Sequence, residues 1–262
     1  MPTVHEIYTY LQTVAPEYMA MQWDHIGLLC GRGDREVRRL LVALDPFMDV
    51  CCEAKELNCE LLVTHHPAIW DLKEVSDATQ AGRCLLYLIE NGISAVNAHT
   101  NLDCAPDGVN DCLARTLGLT AVEVLHPDGT DAAGRPYGLL RVGAAEPTEP
   151  AAFVRHVKQT LGCAGVRYVA GTRSVCRVAV GGGACAGQLA EVIRAGCDAF
   201  VTADCKYNDF ADAYDLGLTL VDAGHFQTEN PVCDVLVERL RAAFPQIEVF
   251  RSKANKDHIK FA

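Results

Sequence analysis

Apolar residues recur at three- and four-residue steps over residues 4–21, with Ile7, Leu11, Val14 and Tyr18 on one stripe, and this spacing predicts an opening helix. The period then changes. Leu40-Leu41-Val42-Ala43-Leu44 is a short unbroken apolar run that stops at Asp45-Pro46, and Leu61-Leu62-Val63 leads into Thr64-His65-His66-Pro67. Such runs fit strands covered on both faces. Residues 47–58 between them read as a helix, so strand, helix and strand form a βαβ unit whose second strand ends at two histidines. Chemistry is expected at that end, because ligand sites in open α/β sheets lie beyond the carboxyl ends of the strands.

A helical stretch at 79–91 leads through Gly92 to a strand at 93–96 that ends at Asn97-Ala98-His99, and a further helix is predicted over 109–117. Residues 125–135 are polar and turn-forming. Beyond them the pattern starts again: a strand at 138–142, a helix at 150–161, a strand at 176–180, a helix at 188–195 and a strand at 199–202. Gly92-Ile-Ser-Ala-Val-Asn-Ala-His99-x-x-x-Asp103 is matched by Gly217-Leu-Thr-Leu-Val-Asp-Ala-Gly-His225-x-x-x-Glu229. The fold class is therefore α/β, with two related α/β subdomains and a metal site at the C-terminal ends of the strands. The halves are placed at 1–125 and 126–262, and can intertwine as one unit.

Composition narrows the function. Lys and Arg total 23 against 34 Asp and Glu in 262 residues, a net charge of −11, so the clustered cations of a general nucleic-acid binder are missing. No apolar run approaches the roughly 20 residues of a membrane span, and the opening residues lack the basic and apolar regions of a secretory signal. A cytoplasmic protein without a membrane partner is expected. Thirteen cysteines without a C-x-x-C pair read as reduced core material, and adjacent Cys51-Cys52 would diverge on a helix.

His66 precedes Pro67, which favours extended backbone, and extended neighbours point to opposite sides. His65 and His66 can therefore serve two ions on either side of the chain, or one can be a ligand and the other a hydrogen-bonded orienter. His99 with Asp103, and His225 with Glu229, follow strands in the same way, and a spacing of four brings side chains together on a helical turn. Imidazole and carboxylate suit Zn, Fe, Mn or Co. Six donors exceed the need of one tetrahedral ion, so a dinuclear site is expected, with Glu229 as the natural bridging carboxylate. Gly181-Gly182-Gly183 lacks both nucleotide-loop fingerprints and reads as a tight turn. Asp24-His25-Ile26-Gly27-Leu28 is a candidate pocket lining.

Five stretches carry a resemblance to a known family. They are Trp23-Asp24-His25-Ile26-Gly27-Leu28, Leu62-Val63-Thr64-His65-His66-Pro67, Ala98-His99-Thr100-Asn101-Leu102-Asp103, Ala223-Gly224-His225-Phe226-Gln227-Thr228-Glu229 and Ser252-Lys253-Ala254-Asn255-Lys256-Asp257. In this order and at fitting distances the chain resembles the type 2 GTP cyclohydrolase I family, also called Nif-three-like or dinuclear-metal-centre hexameric proteins. The resemblance implies two α/β subdomains, a toroidal hexamer with metal sites facing an inner cavity, and ligands at His65, His66, Asp103, His225 and Glu229. His99 matches a further polar position beside the metals. Where the family carries Thr-Gly-Asp/Glu and then a histidine, this chain has Thr202-Ala203-Asp204-Cys205-Lys206-Tyr207-Asn208. The domain that longer members insert between the halves is expected to be absent.

These readings lead to a dinuclear metal-dependent hydrolase that uses two divalent ions on a small-molecule substrate, with nucleotide ring opening as the substrate class implied by the family. His99 and Asn208 would then assist proton movement or substrate orientation. The alternative is a non-catalytic metal-binding scaffold or regulatory protein, which needs neither an open coordination position nor a general base.

Overall fold

The opening helix is shorter than its apolar stripe. In the computed structural model, which describes residues 1–71 and 73–262, it spans Val4–Val14. Thr3 caps its start: the Thr3 hydroxyl accepts the Glu6 N–H (3.2 Å) and the Glu6 carboxylate accepts the Thr3 N–H (2.7 Å). Its end is set by Pro16, which disfavours helical backbone at the residue before it. Ala15 accordingly sits at φ −139°, and the stripe continues only as a single 3₁₀ turn, Glu17–Met19.

The chain forms two units. The first comprises Met1–Ala105 and Cys233–Lys256, the second Pro106–Val232 and Asp257–Ala262. The sequence pattern places a boundary at 125/126 instead. The chain's return to the first unit is left out of that pattern, and it has a clear cause: Glu248–Arg251 pairs in parallel with Arg39–Ala43. Buried from Leu40 to Ala43, that strand would otherwise form an open edge.

The sheet of the first unit runs Gly27–Cys30, Ser94–Asn97, Leu61–Thr64, Arg39–Ala43, Glu248–Arg251. All neighbours are parallel except Gly27–Cys30, which runs antiparallel to Ser94–Asn97. Leu61–Thr64 and Ser94–Asn97 are buried at every position, as continuous apolar runs require when helices cover both faces. Register matters most for function: Ala43 lies opposite Thr64, and Thr64 opposite Asn97. The three central strands therefore end on one rung, and the residues that follow them share one rim.

The second unit repeats this logic. Its six-stranded sheet runs Thr120–Leu125, Leu140–Thr148, Val175–Val180, Ala199–Thr202, Thr219–Asp222, Arg167–Val169. The three strands from Val175–Val180 to Thr219–Asp222 are parallel, and the last two end together with Thr202 opposite Asp222. Leu140–Thr148 is antiparallel to Val175–Val180 and carries Arg141, almost completely buried, whose guanidinium grips Asp111 through Nε (2.8 Å) and Nη2 (3.0 Å). The polar stretch at 125–135 holds part of a small hairpin, Gly129–Thr130 against Pro136–Tyr137. No helix among the described residues is long and apolar enough to cross a membrane.

Candidate metal centre

In the first unit the shared rim collects three histidines. His65 and His66 follow Leu61–Thr64, and their N–H groups continue the ladder to Ala43 and Leu44 carbonyls (3.3 and 2.9 Å). His65 is fully buried, and its Nδ1 donates to the Ala98 carbonyl at 2.9 Å. His66 keeps a fifth of its side chain exposed and donates from Nδ1 to Asp45 Oδ1 at 2.7 Å. His99 follows Ser94–Asn97 and pairs through Nδ1 with Asp24 Oδ1 at 2.9 Å. Ligand atoms of the three residues lie within 4.8 Å of one another.

Asp103 lies on the five-residue helix Thr100–Cys104 that His99 opens. The spacing of four does not pair its carboxylate with His99, as it would on a longer helix. His99 turns to Asp24, while Asp103 Oδ1 stands 3.6 Å from His65 Nε2. That distance exceeds a hydrogen bond. Two ligands of one ion, each about 2.0–2.1 Å from it, are separated by roughly 3–3.4 Å, so the pair suits a shared metal better than direct contact.

The second unit carries its own pair. Gly224, at φ +89°, turns the chain from Thr219–Asp222 into the helix His225–Glu229, a conformation that glycine adopts without strain. Here the spacing of four does bring ring and carboxylate together, with His225 Nε2 3.1 Å from Glu229 Oε2. Nδ1 of His225 faces Asp204 Oδ2 at 2.8 Å. The glycine loop makes room for Glu229, since a Cβ on Gly183 would stand 2.0 Å from Glu229 Oε1. The amides of Gly182 and Gly183 are engaged by Asn110 (2.7 Å) and Thr228 (3.0 Å), so the loop is a turn that seats a carboxylate. Asn208 is exposed on the helix Tyr207–Asp215, and no hydrogen bond of its side chain is found among the described residues.

One arrangement unites these histidines. Each of His65, His66, His99 and His225 presents Nδ1 to a carbonyl or carboxylate oxygen. A neutral imidazole that donates from Nδ1 carries its lone pair on Nε2, the form a metal needs. The donor set thus fits divalent transition ions in both units. Asp24, in the stretch expected to line a pocket, orients one of these rings; Asp45 and Asp204, which orient two more, were not among the expected site residues. The signal was present: Asp24 precedes a strand in a quoted motif, Asp45 ends one, and Asp204 follows one. Burial alone would raise the Asp24 carboxyl, but donors from His99 and Thr100 outweigh it and hold it at about 2.

Beside His99 an open pocket of roughly 70 Å³ is lined by Trp23, Asp24, His25, Pro67, Ile69 and Trp70. Both tryptophans are more than half exposed, and their ring centroids lie 6.2 and 5.2 Å from that of His99. The thirteen cysteines are free thiols and all but Cys52 and Cys176 are buried. Burial is the main force that pushes the Cys59 and Cys205 thiols up to about 12.

Two α/β units whose parallel strands end in oriented imidazole and carboxylate side chains define a class of protein with a candidate metal-binding rim. The chain belongs to the Duf34/NIF3 (NGG1p interacting factor 3) family, whose profile matches residues 2–258. A "GTP cyclohydrolase 1 type 2 homolog" from Streptomyces coelicolor is 38% identical over 243 residues, covering 90% of this chain and 84% of its own. A protein of the same name from Clostridium perfringens is 29% identical over 264 residues, covering 98% and 99%. The crystal structure of a Bacillus cereus protein related to NIF3 superposes with a TM-score of 0.93 at 26% identity, covering 100% of this chain and 99% of its own.

Proposed function

We propose that this protein is a metal-dependent hydrolase that holds two divalent transition ions through His65, His66, Asp103, His225 and Glu229. The observation that carries the reading is the common orientation of the histidines: each Nδ1 faces a carbonyl or carboxylate oxygen, which in a neutral ring puts the lone pair on Nε2, and two of those Nε2 atoms face the Asp103 and Glu229 carboxylates. Bound ions of this kind supply an acidified water and polarise a carbonyl, imine or phosphoryl oxygen. The chain's own residues do the rest. Asp24 holds His99 in one tautomer, so that its Nε2 can take up and return a proton. Trp23 and Trp70 offer apolar ring faces beside it, which favours a planar heterocycle such as a nucleotide base.

A second reading, a non-catalytic metal-dependent scaffold, draws support from Asn208. An amide cannot act as the base that the family's histidine would be. Metal-replete protein incubated with GTP, other nucleotides, phosphoesters and cyclic amides decides between them. Turnover of one class, lost in His99→Ala, supports the hydrolase. Saturable quenching of Trp23 and Trp70, the chain's only two tryptophans, without turnover of any class favours the scaffold.

A further inference from the structure

The segment after the last strand has no role in the reading above, yet it reaches the metal rim. Asn255 is nine-tenths buried, and both ends of its amide are used. Oδ1 accepts the N–H groups of Leu44 (2.6 Å) and Asp45 (3.1 Å), and Nδ2 donates to Asp45 Oδ2 (3.1 Å). This assignment is fixed by chemistry: a flipped amide would set its NH₂ against two N–H donors and its oxygen against a carboxylate. The other Asp45 oxygen, Oδ1, receives the proton of His66 Nδ1. Asn255 therefore aims the carboxylate that aims the ring.

The opposite end of the segment is clipped as firmly. The N–H of Ser252 donates to the Val42 carbonyl (2.8 Å), and its hydroxyl donates to Glu53 Oε2. The same Glu53 carboxylate accepts the N–H groups of Lys253 (2.9 Å) and Ala254 (3.2 Å), while the Ser252 hydroxyl accepts the Asn255 N–H (3.1 Å). Every partner lies within the first unit. A contact spanning 210 residues of chain thus links docking of the Glu248–Arg251 strand to the ring of His66.

We propose that Asn255 is a positioning residue that couples docking of the C-terminal strand to metal binding at His66. The proposal rests on the metal reading above and adds a linkage to it. With the clip in place, Asp45 holds the His66 ring in one tautomer and one orientation. With the strand undocked, Asp45 loses both contacts to Asn255, at its N–H and at Oδ2, and the ring loses its fixed partner. Linkage is reciprocal, so a metal that prefers the oriented ring must stabilise the docked strand by the same factor.

Zinc affinity by competition with a chromogenic chelator, and amide exchange over residues 248–255 with and without zinc, test it on the full chain. Asn255→Asp keeps the size and the acceptor but sets a carboxylate against Asp45; Asn255→Ala removes both functions. Each should weaken zinc binding about 10–100-fold, the range seen when partners of metal-bound histidines are removed. Lys253→Ala, which leaves the backbone contact to Glu53, should bind as the parent does. Zinc should slow exchange over 248–255 in the parent and not in Asn255→Asp. A purely structural role would lower stability and leave affinity alone. Folded Asn255 variants that bind zinc within about twofold of the parent would overturn the coupling and spare the metal reading. A parent that binds no zinc would overturn both. If both variants fail to fold, Glu53→Gln carries the test, and unchanged affinity there would overturn the proposal.

Discussion

At the scale of single residues the histidines were legible and their partners were not. His65, His66, His99 and His225 stand out because each follows an apolar run, and position after a strand predicts a place on the rim. Asp24, Asp45 and Asp204 also lie beside strands, but nothing in the sequence says which ring each will face, since they are separated from their rings by 75, 21 and 21 residues. Asp24 gives the sharpest test of this layer. Its side chain is almost wholly buried and accepts from His99 Nδ1, from the Thr100 N–H (3.0 Å) and from the Thr100 hydroxyl (2.5 Å). Asp24→Asn should cost about 1.5–3 kcal/mol, the range for hydrogen bonds to a charged group. The folded carboxyl is held at about 2, below the ordinary 3.8. Its contribution is thus present above the ordinary value and fades as pH falls towards 2. Chemical denaturation between pH 2 and 6 should show the parent and Asp24→Asn converging at the acid end, and a gap that widens there would contradict this.

Among the elements, the strands buried on both faces were recovered most fully, because an unbroken apolar run has few other uses. Leu61–Thr64 and Ala199–Thr202 fall where the pattern places them. Strands at the sheet margins escaped: Gly27–Cys30 and Arg167–Val169 are short and only partly buried, and Glu248–Arg251 alternates too little to be distinguished from a loop. Leu140–Thr148 runs six residues past the strand predicted at 138–142, since its exposed half carries no apolar signal. That strand also holds the Arg141–Asp111 pair, whose fork geometry makes Arg141 tolerable in the interior. Asp111→Ala would leave a buried guanidinium without its counter-charge, and a loss of about 3–5 kcal/mol is expected in equilibrium unfolding. A change below about 1 kcal/mol would show that Arg141 finds another partner.

For the whole molecule the sequence could name a fold class and a donor set, but any surface for self-association is one that only the folded chain displays. Tyr207 and Tyr214, seven residues apart on one helix, are 85% and 71% exposed, with Leu216 beside them at 61%. Contact with another copy would take these large side chains out of water. A closed ring of six copies, the number implied by the family resemblance, would cover such a surface. Light scattering coupled to size exclusion should then read six times the mass of the 28.4 kDa chain. Tyr214→Asp should lower that mass, and a parent protein that elutes as a monomer at micromolar concentration would remove the ring.

The central claim is that oriented histidines and carboxylates at the strand ends hold two ions, and elemental analysis of protein purified without chelators tests it most directly. About two equivalents of a divalent transition metal per chain are predicted, falling sharply in the double variant His65→Ala with Glu229→Ala. A content near zero in the parent, or a normal content that the double variant leaves unchanged, would contradict the account.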